Sequence, residues 1–192
     1  MNYALEIDGT PETVPGGTGI LLLHPSTAAT DRIDTDFLKT DTDHFLVVST
    51  RTTAREVSQK LEYYNVDERK ASILDTLSIE RGYSRRSMDH VSYVSAPDHI
   101  EGIVAGVADF LERTTGKRRL SFDSLTELAY YASEDEAIEA AEQIVELLDE
   151  HDAVGLFHLS TEVYDQDVLD EFATRFDGVI RLAEDGSTTA SF

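Results

Sequence analysis

The chain has 192 residues, of which 41% are apolar, and carries 38 Asp and Glu against 16 Lys and Arg, for a net charge of −22. That length and apolar content suit one globular domain with a sizeable core and exclude a disordered chain. The absence of cysteine excludes disulfides, thiolate metal sites and cysteine nucleophiles together. Arg outnumbers Lys, 12 to 4. An acid-rich, Lys-poor surface repels itself at low ionic strength and is screened at high salt. The charge therefore reads as adaptation to the salt-rich cytoplasm of a halophile. It argues against non-specific nucleic-acid binding, which needs a basic footprint. No apolar run approaches membrane-spanning length. Met1 to Gly17 has Glu6, Asp8 and Glu12 but no Lys or Arg, unlike a secretory leader, so a cytoplasmic location is expected.

Residues 1–17 read as a polar, turn-rich N-terminal segment of the domain. Gly19–His24 is a short apolar run and predicts a buried strand. Residues 25–43 lack a clear period and hold five Asp, predicting a loop with one short helix over Asp34–Lys39. Phe45–Thr50 predicts a second buried strand. Val57, Leu61 and Tyr64 then fall at helical spacing over 53–64, and Ala71–Asp75 predicts a third strand. Residues 78–90 hold Arg81, Arg85, Arg86 and Gly82 and read as a basic loop, followed by a short strand at Val91–Val94. Ser95, Pro97 and Asp98 predict a helix start, continued by a stripe from Ile100 to Leu111 and stopped at Gly116.

Arg119–Asp123 predicts a strand and Ser124–Tyr131 a short helix. Ser133 with Glu136 predicts a capping box on a long helix. A strand at Ala153–Leu159, a helix at Asp165–Phe176 and a strand at Gly178–Leu182 follow, with the tail after Asp185-Gly186 pairing back as a hairpin. Strands alternate with helices and most are apolar on both faces. The expected fold is a three-layer α/β/α sandwich on a mostly parallel sheet, with no linker dividing residues 1–192.

Ligands of open parallel sheets bind beyond the carboxyl ends of the strands. That places His24 to Thr27, Thr50 to Thr52, Asp75, Asp123-Ser124 and His158 to Ser160 in view. His24, His158 and Asp123 could form a two-histidine, one-carboxylate ligand set. Nothing in their spacing demands it, so neutral core histidines are the reading adopted and no metal is expected. A Ser-His-Asp triad drawn from Ser26 or Ser160, His24 or His158, and Asp123 or Asp75 lacks a G-x-S-x-G elbow and is set aside. The Arg81/Arg85/Arg86 loop and the Lys117-Arg118-Arg119 run are the basic clusters; pairing with the surplus of carboxylates is the expectation for both. Tyr63-Tyr64 and Tyr130-Tyr131 are each expected to bury one ring and leave one at the rim.

Residues 17–183 resemble the RecA-like ATPase superfamily, in its KaiC-like archaeal branch. "GGTGILLLHPSTAATDR" (16–32) stands at the strand and Walker A loop, and "LVVSTRTTAREVSQKLEYYNVD" (46–67) at the next strand and helix. "RRLSFDSLTEL" (118–128) stands at the Walker B strand, and residues 151–182, ending in "FDGVIRL", at the last two strands. The resemblance implies a RecA-like P-loop fold and self-association.

The departures fall on the chemistry. A working loop, G-x-x-x-x-G-K-[ST], cradles phosphates with backbone N–H groups and a lysine, and holds magnesium with a hydroxyl. Here it reads His24 to Asp31: both glycines are missing, Thr30 replaces the lysine and Asp31 the hydroxyl, and Pro25 removes a donor. Arg51-Thr52-Thr53 stands where the branch has an acid pair, and only Asp123 matches, at the Walker B aspartate. The expectation is a degenerate ATPase, a non-catalytic regulatory or signalling domain acting through protein contacts. Its cofactor is none, or at most weak ATP or ADP with magnesium. Ser26, Thr27, Thr30, Arg51, Asp123 and His158 are the residues of the degenerate nucleotide site, with no catalytic residue among them. The alternatives are a nucleotide binder without efficient hydrolysis, a nucleic-acid-associated transcriptional regulator, and a hydrolase with an unrecognised site.

Overall fold

The computed structural model describes residues 1–26, 29–85 and 88–192. A two-stranded hairpin, β1 (Asn2–Ala4) and β2 (Thr13–Pro15), precedes the main sheet. The chain then runs through β3 (Gly19–His24), α1 (Asp31–Lys39), β4 (His44–Ser49), α2 (Ala54–Tyr63), a single 3-10 turn, β5 (Ala71–Asp75) and β6 (Val91–Tyr93). It continues with α3 (Ile100–Arg113), β7 (Arg118–Asp123), α4 (Leu125–Tyr131), α5 (Glu134–Glu150), β8 (Val154–Ser160), α6 (Gln166–Ala173), β9 (Gly178–Leu182) and β10 (Thr188–Ser191). The eight strands of the main sheet lie in the order β10-β9-β3-β8-β7-β4-β5-β6. All pairs are parallel except β10 on β9, the hairpin expected of the tail.

Every residue of β3, β5, β7 and β8 is buried, because each strand is covered on both faces. Alternation then sorts side chains into two cores. Leu21, Leu23, Leu120, Phe122, Phe157 and Leu159 face the layer of α3, α4, α5 and α6. Ile20, Leu22, Phe45, Val47, Ile73 and Leu156 face α1, α2 and the N-terminal hairpin. Gly155 lets α5 settle onto the sheet: a Cβ there would lie 2.6 Å from Leu148.

The structure differs from the sequence reading at four places. Residues 1–17 are not merely a polar segment, because Tyr3, Leu5, Ile7 and Val14 belong to the core on the α1/α2 face. The alternation of Tyr3, Leu5 and Ile7 with polar neighbours carried that signal. Helix α1 begins at Asp31, not Asp34, with Asp31 and Asp34 in the first turn where the helix dipole favours acids. Helix α3 begins at Ile100 rather than Ser95. Pro97 and Asp98 instead occupy the centre of a turn closed by the His99 N–H on the Ala96 carbonyl, 3.1 Å.

The fourth difference concerns Arg118 and Arg119, which form no basic patch and pair with no carboxylate at hydrogen-bond distance. Arg118 donates to the carbonyls of Leu111 (2.7 Å) and Thr114 (3.1 Å), and so closes the end of α3. Arg119 is 1% exposed. Its guanidinium lies 4.8 Å from the Phe37 ring centroid and 5.4 Å from that of Tyr3, and it donates to the Ala4 carbonyl at 2.7 Å. Burial pulls its pKa down to about 10. Lys117, by contrast, does pair with Asp41 as expected.

Among the described residues no helix is long and apolar enough to cross a membrane. Among the described residues ion pairs are few against the chain's 38 acids, and most of them lie at the surface. Exposed pairs contribute little, so uncompensated repulsion dominates the surface electrostatics. The melting temperature, followed by circular dichroism, is expected to rise steadily from tens of millimolar to molar KCl. A flat dependence would remove the reading of the acidity as salt adaptation.

Candidate functional site

On the α1/α2 face, the same alternation that buries Ile20, Leu22 and Leu156 turns polar towards the carboxyl ends of the strands. His24 on β3, His158 on β8, Ser121 and Asp123 on β7, and Ser49 and Asp75 on β4 and β5 continue those rows. All six are buried. They form a polar crown under α1 and α2, at the ligand-binding edge of an open parallel sheet.

At the centre of the crown stands Asp34, from α1. Its side chain is 1% exposed and receives the Lys60 ammonium of α2 at 2.8 Å, the His158 Nε2 at 3.1 Å, and the Ser121 hydroxyl. Burial by itself would raise the Asp34 carboxyl; the Lys60 charge and the His158 and Lys60 bonds override it and hold the group well below the usual carboxylate range. Burial would likewise lower the Lys60 ammonium, but Asp34 and Asp123 push it above its ordinary value. Neither Asp34 nor Lys60 was singled out from the sequence. Lys60 did carry a signal, because it is one of four lysines and lies beside Leu61 on the Val57–Leu61–Tyr64 stripe.

Around this centre Arg51, Asp123, Thr50 and Asp75 are also turned inward. Arg51 reaches the Asp123 carboxylate at 3.3 Å, and that charge raises the Arg51 pKa. Thr50 accepts the Ser124 N–H at 2.8 Å and donates to the Ser124 carbonyl at 2.8 Å, tying β4 to the β7–α4 junction. Asp75 accepts from the backbone of Ala54 (2.7 Å), Leu77 (2.9 Å) and Ser78 (2.9 Å) and from the Ser78 hydroxyl (2.6 Å). It thereby fastens the first turn of α2 to the turn after β5.

The segment after β3 is held in the same way. The Ser26 N–H, which a phosphate loop would offer to a nucleotide, donates to Glu162 at 3.0 Å. The Ser26 and Ser160 hydroxyls meet at 2.6 Å, and the Ser160 N–H donates to Thr126 at 2.8 Å. Thr30 is buried and accepts the Asp34 N–H on its carbonyl at 3.0 Å, with no capping bond from its side chain. Thr27 lies outside the described residues, as does Arg86.

The crown thus brings Arg51, Asp123, His158 and the start of the loop at Ser26 to one edge, with Asp34, Lys60, Ser121 and Glu162 as the partners sequence reasoning missed. A magnesium nucleotide does not fit this donor set. Phosphates entering the loop would meet Glu162 on the Ser26 N–H and Asp31 and Asp34 in the first turn of α1. The carboxylate matching the Walker B aspartate faces Arg51 rather than open space. Among the described residues neither Ser26 nor Ser160 bonds an imidazole. His24 donates from Nδ1 to the Pro25 carbonyl at 2.9 Å, and His158 is committed to Asp34.

The sequence matches a family model over residues 1–192, one described as a family of unknown function, DUF7090. No curated protein matches it. The fold is similar to that of an ATPase from the type III secretion system of pathogenic bacteria, with a TM-score of 0.65 at 14% identity over 96% of this chain. This chain spans 57% of that ATPase. A KaiC-like protein from the hyperthermophilic archaeon Pyrococcus horikoshii is similar at TM-score 0.67 and 15% identity, over 95% of this chain and 80% of that one. A further P. horikoshii protein, uncharacterised and in complex with an unknown peptide, is similar at TM-score 0.65 and 16% identity, over 90% of this chain and 82% of its own. At these identities the likeness is one of fold alone, a RecA-like three-layer α/β/α architecture.

Proposed function

We propose, given that this chain belongs to a family of unknown function (DUF7090), that it is a non-catalytic RecA/KaiC-like regulatory or signalling domain that acts through protein contacts and has lost ATP hydrolysis. The observation that carries this reading is the closure of the crown on itself. Asp34 is occupied by Lys60, His158 and Ser121; Asp123 by Arg51; the Ser26 N–H by Glu162. In an ATPase of this fold the loop N–H groups and the carboxylate ending the Walker B strand would face phosphate, magnesium and water. Here the Lys60 ammonium supplies positive charge of the kind magnesium would bring, and Glu162 negative charge of the kind a phosphate would bring. The fold is kept while the catalytic constellation becomes part of the core.

Protein contact is supported by exposed aromatic rings. Tyr130 is 81% and Tyr63 79% exposed, while their neighbours Tyr131 and Tyr64 are half-buried and touch them edge to face at 5.4 and 5.0 Å. Each half-buried ring holds its exposed neighbour in place, as an anchor at a protein interface requires. The peptide-bound P. horikoshii relative is consistent with this use of the fold.

The test is phosphate release from ATP with magnesium at molar KCl, with melting temperatures measured with and without ATP or ADP. No turnover above the uncatalysed rate and no shift in melting temperature are the expected results. Magnesium-dependent turnover that disappears in an Asp123→Asn variant would overturn the reading. A melting shift without turnover would replace it by a nucleotide binder that no longer hydrolyses.

A further inference from the structure

The chain has 38 Asp and Glu against 16 Lys and Arg, yet Arg81 and Arg85, in the turn region after β5, are left uncompensated. Both are exposed, and among the described residues neither meets a carboxylate at ion-pair distance. Glu56 feels the Arg81 charge, but its carboxylate is taken by the Thr53 N–H and hydroxyl, each at 2.8 Å. Arg81 meets tyrosine instead. Its guanidinium donates to the Tyr131 hydroxyl at 3.4 Å, and Tyr83, which is 49% exposed, acts on the same guanidinium.

The fold holds this group in place. Asp75 fastens Ser78 by its N–H and its hydroxyl. The turn then closes on itself: the N–H groups of Arg81, Gly82 and Tyr83 donate to the carbonyls of Leu77, Ile79 and Ser78 at 3.0, 3.1 and 2.9 Å. Gly82 sits at φ +66, and a Cβ there would meet nothing within 4 Å, so the turn asks for glycine through its backbone and not through crowding. Arg81 is thereby set beside the end of α4. There Tyr131 is half-buried, and Tyr130 stands edge to face on it at 5.4 Å with 81% of its own surface exposed.

Arginine and tyrosine are the residues that protein interfaces concentrate at their centres, where Lys, Asp and Glu are depleted. Here they are gathered on a surface that is otherwise acid-rich. Two guanidinium groups without carboxylates call for an acidic partner, which they can hold through bidentate bonds. The ring of Tyr130 offers apolar area with few rotatable bonds to freeze. Nucleic acid suits the patch less well, because tracking a phosphate backbone takes a broad basic footprint and this chain carries a net charge of −22.

We propose that Arg81, Tyr83, Arg85, Tyr130 and Tyr131 form a docking surface for an acidic segment of a partner protein, one that presents Asp or Glu beside an apolar side chain. Arg81 and Arg85 take the carboxylates, Tyr130 takes the apolar side chain, and Tyr131 and Tyr83 position Arg81. The proposal rests on the reading of this domain as one that acts through protein contacts, and adds where and with what chemistry. It carries a salt signature. Repulsion between the acidic body and an acidic partner is long-range and fades once the screening length falls to about 3 Å at molar salt, whereas bonds in direct contact persist. Affinity should therefore hold or rise towards molar KCl, the opposite of binding to nucleic acid.

The full chain is immobilised and a randomised peptide library is selected on it in molar KCl, with a single-stranded oligothymidylate tested alongside. The retained peptides are expected to be enriched in Asp and Glu next to Leu or aromatic residues. Their affinity should fall about tenfold or more in Arg81→Ala/Arg85→Ala and in Tyr130→Ala, and by less in Arg81→Lys, which keeps the charge but loses the planar fork. These side chains are exposed, so melting temperatures should match the wild type and confirm that the variants fold. No retained peptide would overturn the proposal, as would tighter binding of the oligothymidylate. Peptides without acidic enrichment, or bound equally well by the Arg81→Ala/Arg85→Ala variant, would overturn this docking surface while leaving the protein-contact reading in place.

Discussion

Lys60→Met is expected to cost about 3–5 kcal/mol at neutral pH, because it leaves the Asp34 carboxylate buried without its cation. The Lys60 side chain is 16% exposed and that of Asp34 1%, so solvent cannot take over the role of the ammonium. In a chain of this size the loss corresponds to a fall of roughly 6–20 °C in melting temperature. Adding Asp34→Asn should restore a large part of it, since the amide can still accept from Ser121 or His158 but no longer carries a charge. A loss below about 1 kcal/mol would show that the pair behaves as a surface ion pair, and that the crown is open to water.

The same pair sets a pH dependence. The folded-state pKa of Asp34 is depressed, so its contribution is complete above the unfolded carboxylate value, about 4, and is lost as pH falls through the folded value. The folded-state pKa of Lys60 is raised, so its contribution is complete below the unfolded ammonium value, about 10.4, and is lost as pH rises through the folded value. Denaturant titrations from pH 2 to 7, a range chosen around the carboxylate value of about 4, should show wild-type stability declining towards acid. In Lys60→Met the decline should be shallower, because the unpaired carboxylate already protonates nearer neutrality.

Asp75→Ala is the second large effect. It removes the acceptor of three backbone N–H groups and one hydroxyl at a side chain of 0% exposure. Each buried donor left unsatisfied costs about 1–3 kcal/mol, so a loss of roughly 3–5 kcal/mol is expected even if water reaches some of them. Asp75→Asn should fall between the two, since its remaining carbonyl can serve only one side of the junction. Hydrogen exchange gives the local readout: the amides of Ala54, Leu77 and Ser78 should exchange markedly faster in Asp75→Ala. Unchanged protection there would mean that the start of α2 is held by its Thr53–Glu56 capping box alone.

That capping box lies at a boundary readable from sequence, whereas the Asp75 junction does not, and the contrast extends to the whole molecule. Chain order and burial pattern determined the fold class. Strands such as Gly19–His24 and Val154–Ser160 are apolar on consecutive positions, which only a strand covered on both faces tolerates. The absence of the G-x-x-x-x-G-K-[ST] pattern from residues 24–31 was equally legible, because glycine and lysine at fixed spacing are requirements of phosphate-loop chemistry. Nothing local foretold which groups would meet at that edge of the sheet. Asp34 and Lys60 are 26 residues apart, and Asp34 and His158 are 124 apart, so their pairing exists only once α1, α2 and β8 have been brought together. Arg118 and Arg119 make the same point from the other direction. In sequence they read as a basic run, while in the fold the pleat sends one to helix-end carbonyls and the other between two aromatic rings. Periodicity is a local property and survives in the sequence; the partner of a buried charge is chosen by three-dimensional proximity in a low dielectric, and only the tertiary structure decided it.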